Sequence, residues 1–270
     1  MTAQEKLYKA NNSGKFICVG LDTDPKKLPA HLLTSKNSVI EFNKKIIQST
    51  KDLCAAYKLN LAFYESEGEL GLHNLAETLS LIPEHTLTIA DGKRGDIGNT
   101  SSLYAHSLFE HFKFDSSTLN PYMGKDSIEP FLSYGDKLNF ILVLTSNRGS
   151  EDFQKQILKS GEFLYQNVLT KIHSWNIKSN CGIVFGATNY DELNNNLDLI
   201  KDLPLLIPGV GAQGGSLKDI CKSLFGKKMK SFLINVSRAI IQKSLGEDFA
   251  EAARNELQSL NKTIEEALDS

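Results

Sequence analysis

Eight short apolar runs, separated by stretches with helical spacing, recur from one end of this 270-residue chain to the other. The runs are Phe16–Asp22, Ala55–Phe63, Leu87–Lys93, Ser117–Asn120, Phe140–Ser146, Gly182–Ala187, Leu205–Val210 and Phe232–Arg238. Several are apolar almost throughout, as strands buried on both faces of a parallel sheet are. Between them lie stripes of period 3.6. Val39, Phe42, Asn43 and Ile46 form one, with Asn43 as its polar exception. Leu72, Leu75, Leu79 and Ile82 form a second; Leu164, Val168 and Ile172 form a third. Phe249, Ala253, Leu257, Leu260, Ile264 and Leu268 form the last, with Glu247 and Asp248 at its start, where the helix dipole favours acids. All four stripes read as core-packing faces. Eight β–α units in this length predict an α/β fold, a (β/α)8 TIM barrel in which residues 1–270 make a single domain. An open doubly wound sheet is the rival. No linker rich in Pro, Gly or Ser divides the chain.

Composition narrows the function. The chain is 41% hydrophobic and 23% charged, with a formal net charge of -2, so no strongly basic face for nucleic acid is expected. It has no run of 18 apolar residues, so no membrane span is expected. The opening Met1-Thr2-Ala3-Gln4-Glu5-Lys6 lacks the apolar core of a signal peptide, and a cytoplasmic location follows as the expectation. Cys18, Cys54, Cys181 and Cys221 form no CxxC pair and read as buried, reduced thiols. The six histidines do not cluster, so a metal site built on His or Cys is not expected.

The chemistry collects at the ends of the apolar runs. Asp91-Gly92-Lys93-Arg94-Gly95-Asp96 directly continues the run Leu87-Thr88-Ile89-Ala90. Asp91 and Lys93 are two apart and point to the same side of a strand. Charges in that position are costly unless paired or used. Asp96 falls in the following loop, ahead of a helix beginning near Thr100. Lys58 lies inside the second run and must find an anion or a cavity. It suggests a Schiff-base lysine, but Asp22 and Asp91 beside it would keep it charged. A buried salt bridge is the bland alternative, and a Lys–Asp–Lys–Asp network satisfies both readings. The first run ends at Asp22, the fifth at Ser146, and the eighth at Arg238. The seventh leads into Gly209-Val210-Gly211-Ala212-Gln213-Gly214-Gly215. This matches G-x-G-x-x-G, but no acid follows about 20 residues later, where Lys227-Lys228-Met229-Lys230 stands. It fits better as a barrel phosphate corner, which uses the loops after strands seven and eight, with Arg238 as a forked cation. Asn147–Ser160, the longest irregular stretch, is long enough to cover a site.

Taken together, these residues resemble the orotidine 5'-phosphate decarboxylase family, in its longer-chain bacterial branch. The resemblance rests on Asp91-Gly92-Lys93-Arg94-Gly95-Asp96 as the D-x-K-x-x-D signature, on Lys58 as the preceding strand-two lysine, and on Asn60-Leu61-Ala62-Phe63-Tyr64-Glu65. Leu119-Asn120-Pro121-Tyr122-Met123-Gly124 and Ile207-Pro208-Gly209-Val210-Gly211-Ala212-Gln213-Gly214-Gly215 extend it, so that it runs from about Phe16 to Arg238. It implies decarboxylation of orotidine 5'-monophosphate (OMP) to uridine 5'-monophosphate (UMP) and CO2, the last step of de novo pyrimidine (UMP) biosynthesis. It implies no metal, no organic cofactor, and a homodimer with shared sites. Lys93 would protonate C6 of the pyrimidine, Asp91 would sit beside the substrate carboxylate, and Lys58 would hold Asp91 and a ribose hydroxyl. Asp96 would reach into the partner's site, accompanied by Ile97 and Thr100. Asp22 would bind a ribose hydroxyl, Ser146 the pyrimidine, and Gln213 with Arg238 the phosphate. The chain departs from the branch at Asn147-Arg148-Gly149, where Asn-Pro-Gly is frequent. A Mg2+-dependent sugar-phosphate decarboxylase of the same superfamily, such as one acting on 3-keto-gulonate 6-phosphate, is the nearest enzyme rival. A nucleotide-binding barrel without catalysis is the other.

Overall fold

Eight parallel strands close into a barrel in strict sequence order, β1 (Ile17–Gly20), β2 (Ala56–Asn60), β3 (Leu87–Arg94), β4 (Ser116–Leu119), β5 (Leu138–Leu144), β6 (Cys181–Phe185), β7 (Leu205–Pro208) and β8 (Phe232–Val236), with β1 pairing β8. The structure is a computed structural model, and residues 1–210, 216–229 and 231–269 are described. The expected (β/α)8 barrel is therefore what the chain forms, and the open sheet is excluded by the β1–β8 pairing. Strand alternation explains the two cores. Cys18, Ala56, Leu87, Ile89, Phe140, Val184, Leu206 and Leu233 point inward and form one buried cluster. Ile17, Val19, Leu59, Ile141, Ile183 and Ile207 point outward and join the surrounding helices in a second.

The N-terminal segment acts as the barrel's floor. The helix Ala3–Asn12 opens with a capping box between Thr2 and Glu5 and places Ala3 and Leu7 in the inner cluster. Its side chains tie together the starts of several strands. Lys6 pairs with Asp115 at 2.7 Å, just before β4. Asn11 exchanges hydrogen bonds with both backbone groups of Phe232 at the start of β8. The site must therefore lie at the opposite, C-terminal end.

Several local expectations need correction. The second strand stops at Asn60, not Phe63. Asn60 Oδ1 accepts the Ala62 N–H at 3.2 Å, and Leu61–Glu65 turns into a short helix. The helix after β3 begins at Gly98, two residues before Thr100. In the helix Gly68–Ser80 the buried face carries Gly71, Asn74, Leu75 and Thr78, and Leu72 is exposed. In Leu164–Trp175 Ile172 is buried as expected, but Tyr165 and Leu169 take the other buried positions while Leu164 and Val168 are half-buried. The stripe of Ser38–Thr50 holds, Asn43 included. In the last helix, Phe249–Leu268, the stripe holds except at exposed Leu268 and half-buried Leu260. All four cysteines are free and buried, and burial pushes the thiols of Cys54, Cys181 and Cys221 up to about 12. Among the described residues no helix is long and apolar enough to cross a membrane.

Candidate active site

A cavity of about 510 Å³ opens at the C-terminal end of the barrel, and Asp22, Lys58, Asp91, Lys93, Ser146 and Arg238 all line it. Their convergence follows from register. Gly20 on β1 stands beside Lys58 on β2, and Asn60 beside Asp91 on β3. Lys58 lies two residues beyond inward-pointing Ala56, and Asp91 two beyond inward-pointing Ile89. Both side chains must then enter the barrel above its apolar filling.

The charges pair in a chain. Lys58 Nζ lies 2.8 Å from Asp91 Oδ2 and 3.4 Å from Asp22 Oδ1. Lys93 Nζ lies 2.7 Å from Asp91 Oδ1. Burial pushes the Asp91 carboxyl up, but the Lys58 and Lys93 ammoniums together hold it well below the usual carboxylate range. Burial likewise works against the Lys58 ammonium, yet Asp91 and Asp22 outweigh it and hold the group above an ordinary lysine. A lysine kept charged in this way is a poor amine nucleophile, which removes the Schiff-base reading.

Neighbours that sequence reasoning did not single out complete the arrangement. Thr118 Oγ1 on β4 donates to Asp91 Oδ1 at 3.0 Å. Ser237 Oγ lies 2.7 Å from Asp22 Oδ2 and 3.0 Å from the Gly20 carbonyl oxygen. That approach requires glycine at position 20, because a Cβ there would lie 2.8 Å from Ser237 Cβ. Asn235 on β8 also lines the cavity, with a buried Oδ1 that has no hydrogen-bond partner among the described residues. Gln154 Oε1 accepts the Thr145 N–H at 2.7 Å, which fastens the long loop after β5 to the strand end carrying Ser146. Within that loop Arg148–Glu151 makes a short 3-10 turn. The hydroxyl run Ser116-Ser117-Thr118 in a buried strand was the one local signal for Thr118.

The remaining expected residues divide. Asp96 does not join the pairs in its own barrel. Its Oδ1 accepts the Ile97 N–H at 2.8 Å, and neither Asp96, Ile97 nor Thr100 lines the cavity. Ile97 and Thr100 are exposed. Gln213 lies outside the described residues. Arg238, exposed, begins the short helix after β8 at the cavity rim. Among the described residues no group of three or more His, Cys, Asp or Glu side chains is arranged to hold a metal ion.

Residues 15–254 match the Orotidine 5'-phosphate decarboxylase / HUMPS family. The chain belongs to that family. Orotidine 5'-phosphate decarboxylase of Porphyromonas gingivalis is 44% identical over 272 residues, covering 99% of this chain and 98% of the relative. That of Flavobacterium johnsoniae is 45% identical over 273 residues, covering 100% of this chain and 99% of the relative. The solved OMP decarboxylase of Leishmania donovani superposes with a TM-score of 0.81 at 33% identity, over 97% of this chain and 99% of that one. The match to the family thus extends well beyond the D-x-K-x-x-D segment, over residues 15–254, and the two relatives align with essentially the whole chain.

Proposed function

We propose that this chain decarboxylates orotidine 5'-monophosphate to uridine 5'-monophosphate and CO2, the final step of UMP biosynthesis. The observation that carries the reading is the division between the two lysines on Asp91. Lys58 is buried and locked, whereas the Lys93 side chain is half exposed to the cavity with its ammonium still held by Asp91. A proton donor needs that combination of access and orientation. Membership of the family and the names of the full-length relatives support the substrate.

In the proposed reaction the bond between C6 and the carboxylate breaks, CO2 leaves, and the electron pair stays on C6. The Lys93 ammonium gives C6 its proton and is reprotonated from solvent. Asp91 lies beside the departing carboxylate. Like charges about 4 Å apart repel by roughly 4 kcal/mol at an effective dielectric of 20. That is worth roughly a thousandfold, well short of the roughly 8–23 kcal/mol by which enzymes lower barriers. The larger share falls to the preorganised Lys93 ammonium and to binding energy at the remote phosphate. Asp22 and Lys58 take the ribose hydroxyls, Ser146 the pyrimidine, and Arg238 with Gln213 the phosphate. The reading calls for no metal or organic cofactor.

The same reading makes the enzyme a cytoplasmic homodimer. Asp96 does not line its own cavity, and the turn and helix that follow it expose Ile97, Leu103 and Tyr104. A second barrel would cover them and receive Asp96, Ile97 and Thr100 at its own site. Buried free thiols suit a reducing compartment.

The deciding experiment incubates EDTA-treated protein with OMP and follows UMP and CO2 together. Stoichiometric formation of both, unaffected by chelation, is the expected result. Binding of UMP without turnover would instead leave a nucleotide-binding barrel, and no conversion of OMP with or without Mg2+, together with no binding of UMP, would point to the sugar-phosphate branch.

A further inference from the structure

β3 and β4 slip out of register where the charges sit. Ala90 faces Ser117 and Arg94 faces Leu119, so Asp91, Gly92 and Lys93 all stand opposite Thr118. A bulge of this kind leaves backbone donors without a ladder partner and needs something else to satisfy them. Lys93 takes φ 46°, the left-handed region that L residues other than Asn and Asp rarely enter. Its N–H goes to a side chain of β4, Thr118 Oγ1, at 2.9 Å. The same hydroxyl donates to Asp91 Oδ1, the oxygen that also holds the Lys93 ammonium. Thr118 is thus bonded to Lys93 at both ends, directly at its backbone and through one carboxylate oxygen at its tip. It is 2% exposed and sits at the wall of the cavity.

We infer that Thr118 is the positioning residue of this site. Its hydroxyl holds the β3 bulge in the strained form that aims the Lys93 ammonium into the cavity. Thr118 itself touches no reacting atom. The inference rests on the proposed decarboxylation for its effect on rate, but not for its effect on the bulge.

The test compares wild type, Thr118→Val and Thr118→Ser. Valine keeps the branched shape and removes the hydroxyl; serine restores it. Two measurements are made on each: hydrogen exchange at the Lys93 amide by NMR, and kcat and KM with OMP. In Thr118→Val the Lys93 amide should exchange at least about tenfold faster, since its acceptor is gone. Displacement of the acid should lower kcat by about ten- to a hundredfold with KM within about twofold, because the loss is felt only in the transition state. Thr118→Ser should stay near wild type on both. An equally protected Lys93 amide in Thr118→Val would overturn the inference. So would unchanged kcat, or a loss confined to melting temperature or KM. Should wild type itself not turn over OMP, the decarboxylase reading fails, and amide exchange alone still decides whether Thr118 holds the bulge.

Discussion

Lys58 and Lys93 grip opposite oxygens of the Asp91 carboxylate, at 2.8 and 2.7 Å, and both line the cavity, but they differ sharply in exposure. The Lys58 side chain is 5% exposed and that of Lys93 50%. In the proposed reaction the buried lysine neutralises and orients Asp91, and the open one delivers the proton. Lys93→Ala should therefore cost turnover and little else. General acid catalysis contributes about 10²–10⁴-fold, so a fall in kcat of about a thousandfold is expected. Asp91 keeps Lys58 and Thr118 as partners, so the melting temperature should stay within a few degrees of wild type. Steady-state kinetics together with a thermal melt checks this; a variant with near-normal kcat would remove Lys93 from the chemistry.

Lys58 carries the opposite expectation. Lys58→Met leaves Asp22 and Asp91 facing one another with their shared buried cation removed, a loss of about 3 kcal/mol or more by analogy with broken buried pairs. The pH dependence has a definite sign. The depressed Asp91 carboxyl contributes stability that is present above its unfolded value near ~3.9 and is lost as pH falls through the folded value. The elevated Lys58 ammonium contributes stability present below its unfolded value near ~10.4 and lost as pH rises through the folded value. The gap between wild type and variant should accordingly be widest and flat across roughly pH 5–9, and narrow outside it. Urea unfolding at pH 3.5, 7 and 10.5 would measure it; a gap that widened toward acid would contradict the assignment.

The barrel is legible in the sequence because strands buried on both faces need unbroken apolar runs, and Val19, Leu59, Ile141 and Ile234 supply them whatever the neighbouring helices do. Asp91, Lys93 and Lys58 are legible because charge inside such a run is costly. The rest depended on partners far along the chain. Thr118 matters through residues 25 and 27 positions away, and Ser237 through Asp22, 215 positions away. No local period marks either. Helix faces went astray where the stripe admits more than one phase: Leu164 and Val168 satisfy the period as well as Tyr165 and Leu169, and only packing against β5 and β6 selects the second pair. The strand-two boundary was missed because Asn60 reads as a strand residue by position but acts as a helix cap by its side chain.

The floor helix was equally hidden, since periodicity shows an amphipathic segment without saying which surface it covers. Its role yields a stability prediction. Leu7 is 1% exposed and packs on the inner cluster from below. Leu7→Ala should cost about 2–5 kcal/mol through lost burial and a cavity that rigid strands cannot close. The site lies at the far end of the barrel, so kcat measured well below the melting temperature should not change. Chemical unfolding paired with kinetics separates the two effects, and a variant as stable as wild type would show that the helix is dispensable as a floor.

Asp96 offers the sharpest test of the proposed dimer, because its own barrel gives it no role at the cavity. If it acts across the interface, Asp96→Ala and Lys93→Ala are each inactive for different halves of one composite site. Mixing the two variants under conditions of subunit exchange builds hybrid dimers. In each hybrid, one site has lost both residues and the other has Lys93 from one chain and Asp96 from its partner. With random exchange about half the dimers are hybrids, each with one intact site, so about a quarter of wild-type activity should return, by the pairing rules of a two-fold assembly. Exchange is verified independently by mass spectrometry of differently labelled subunits. Proven exchange with no regained turnover would place Asp96 outside the partner's site, and would leave exposed Ile97, Leu103 and Tyr104 without the partner proposed for them.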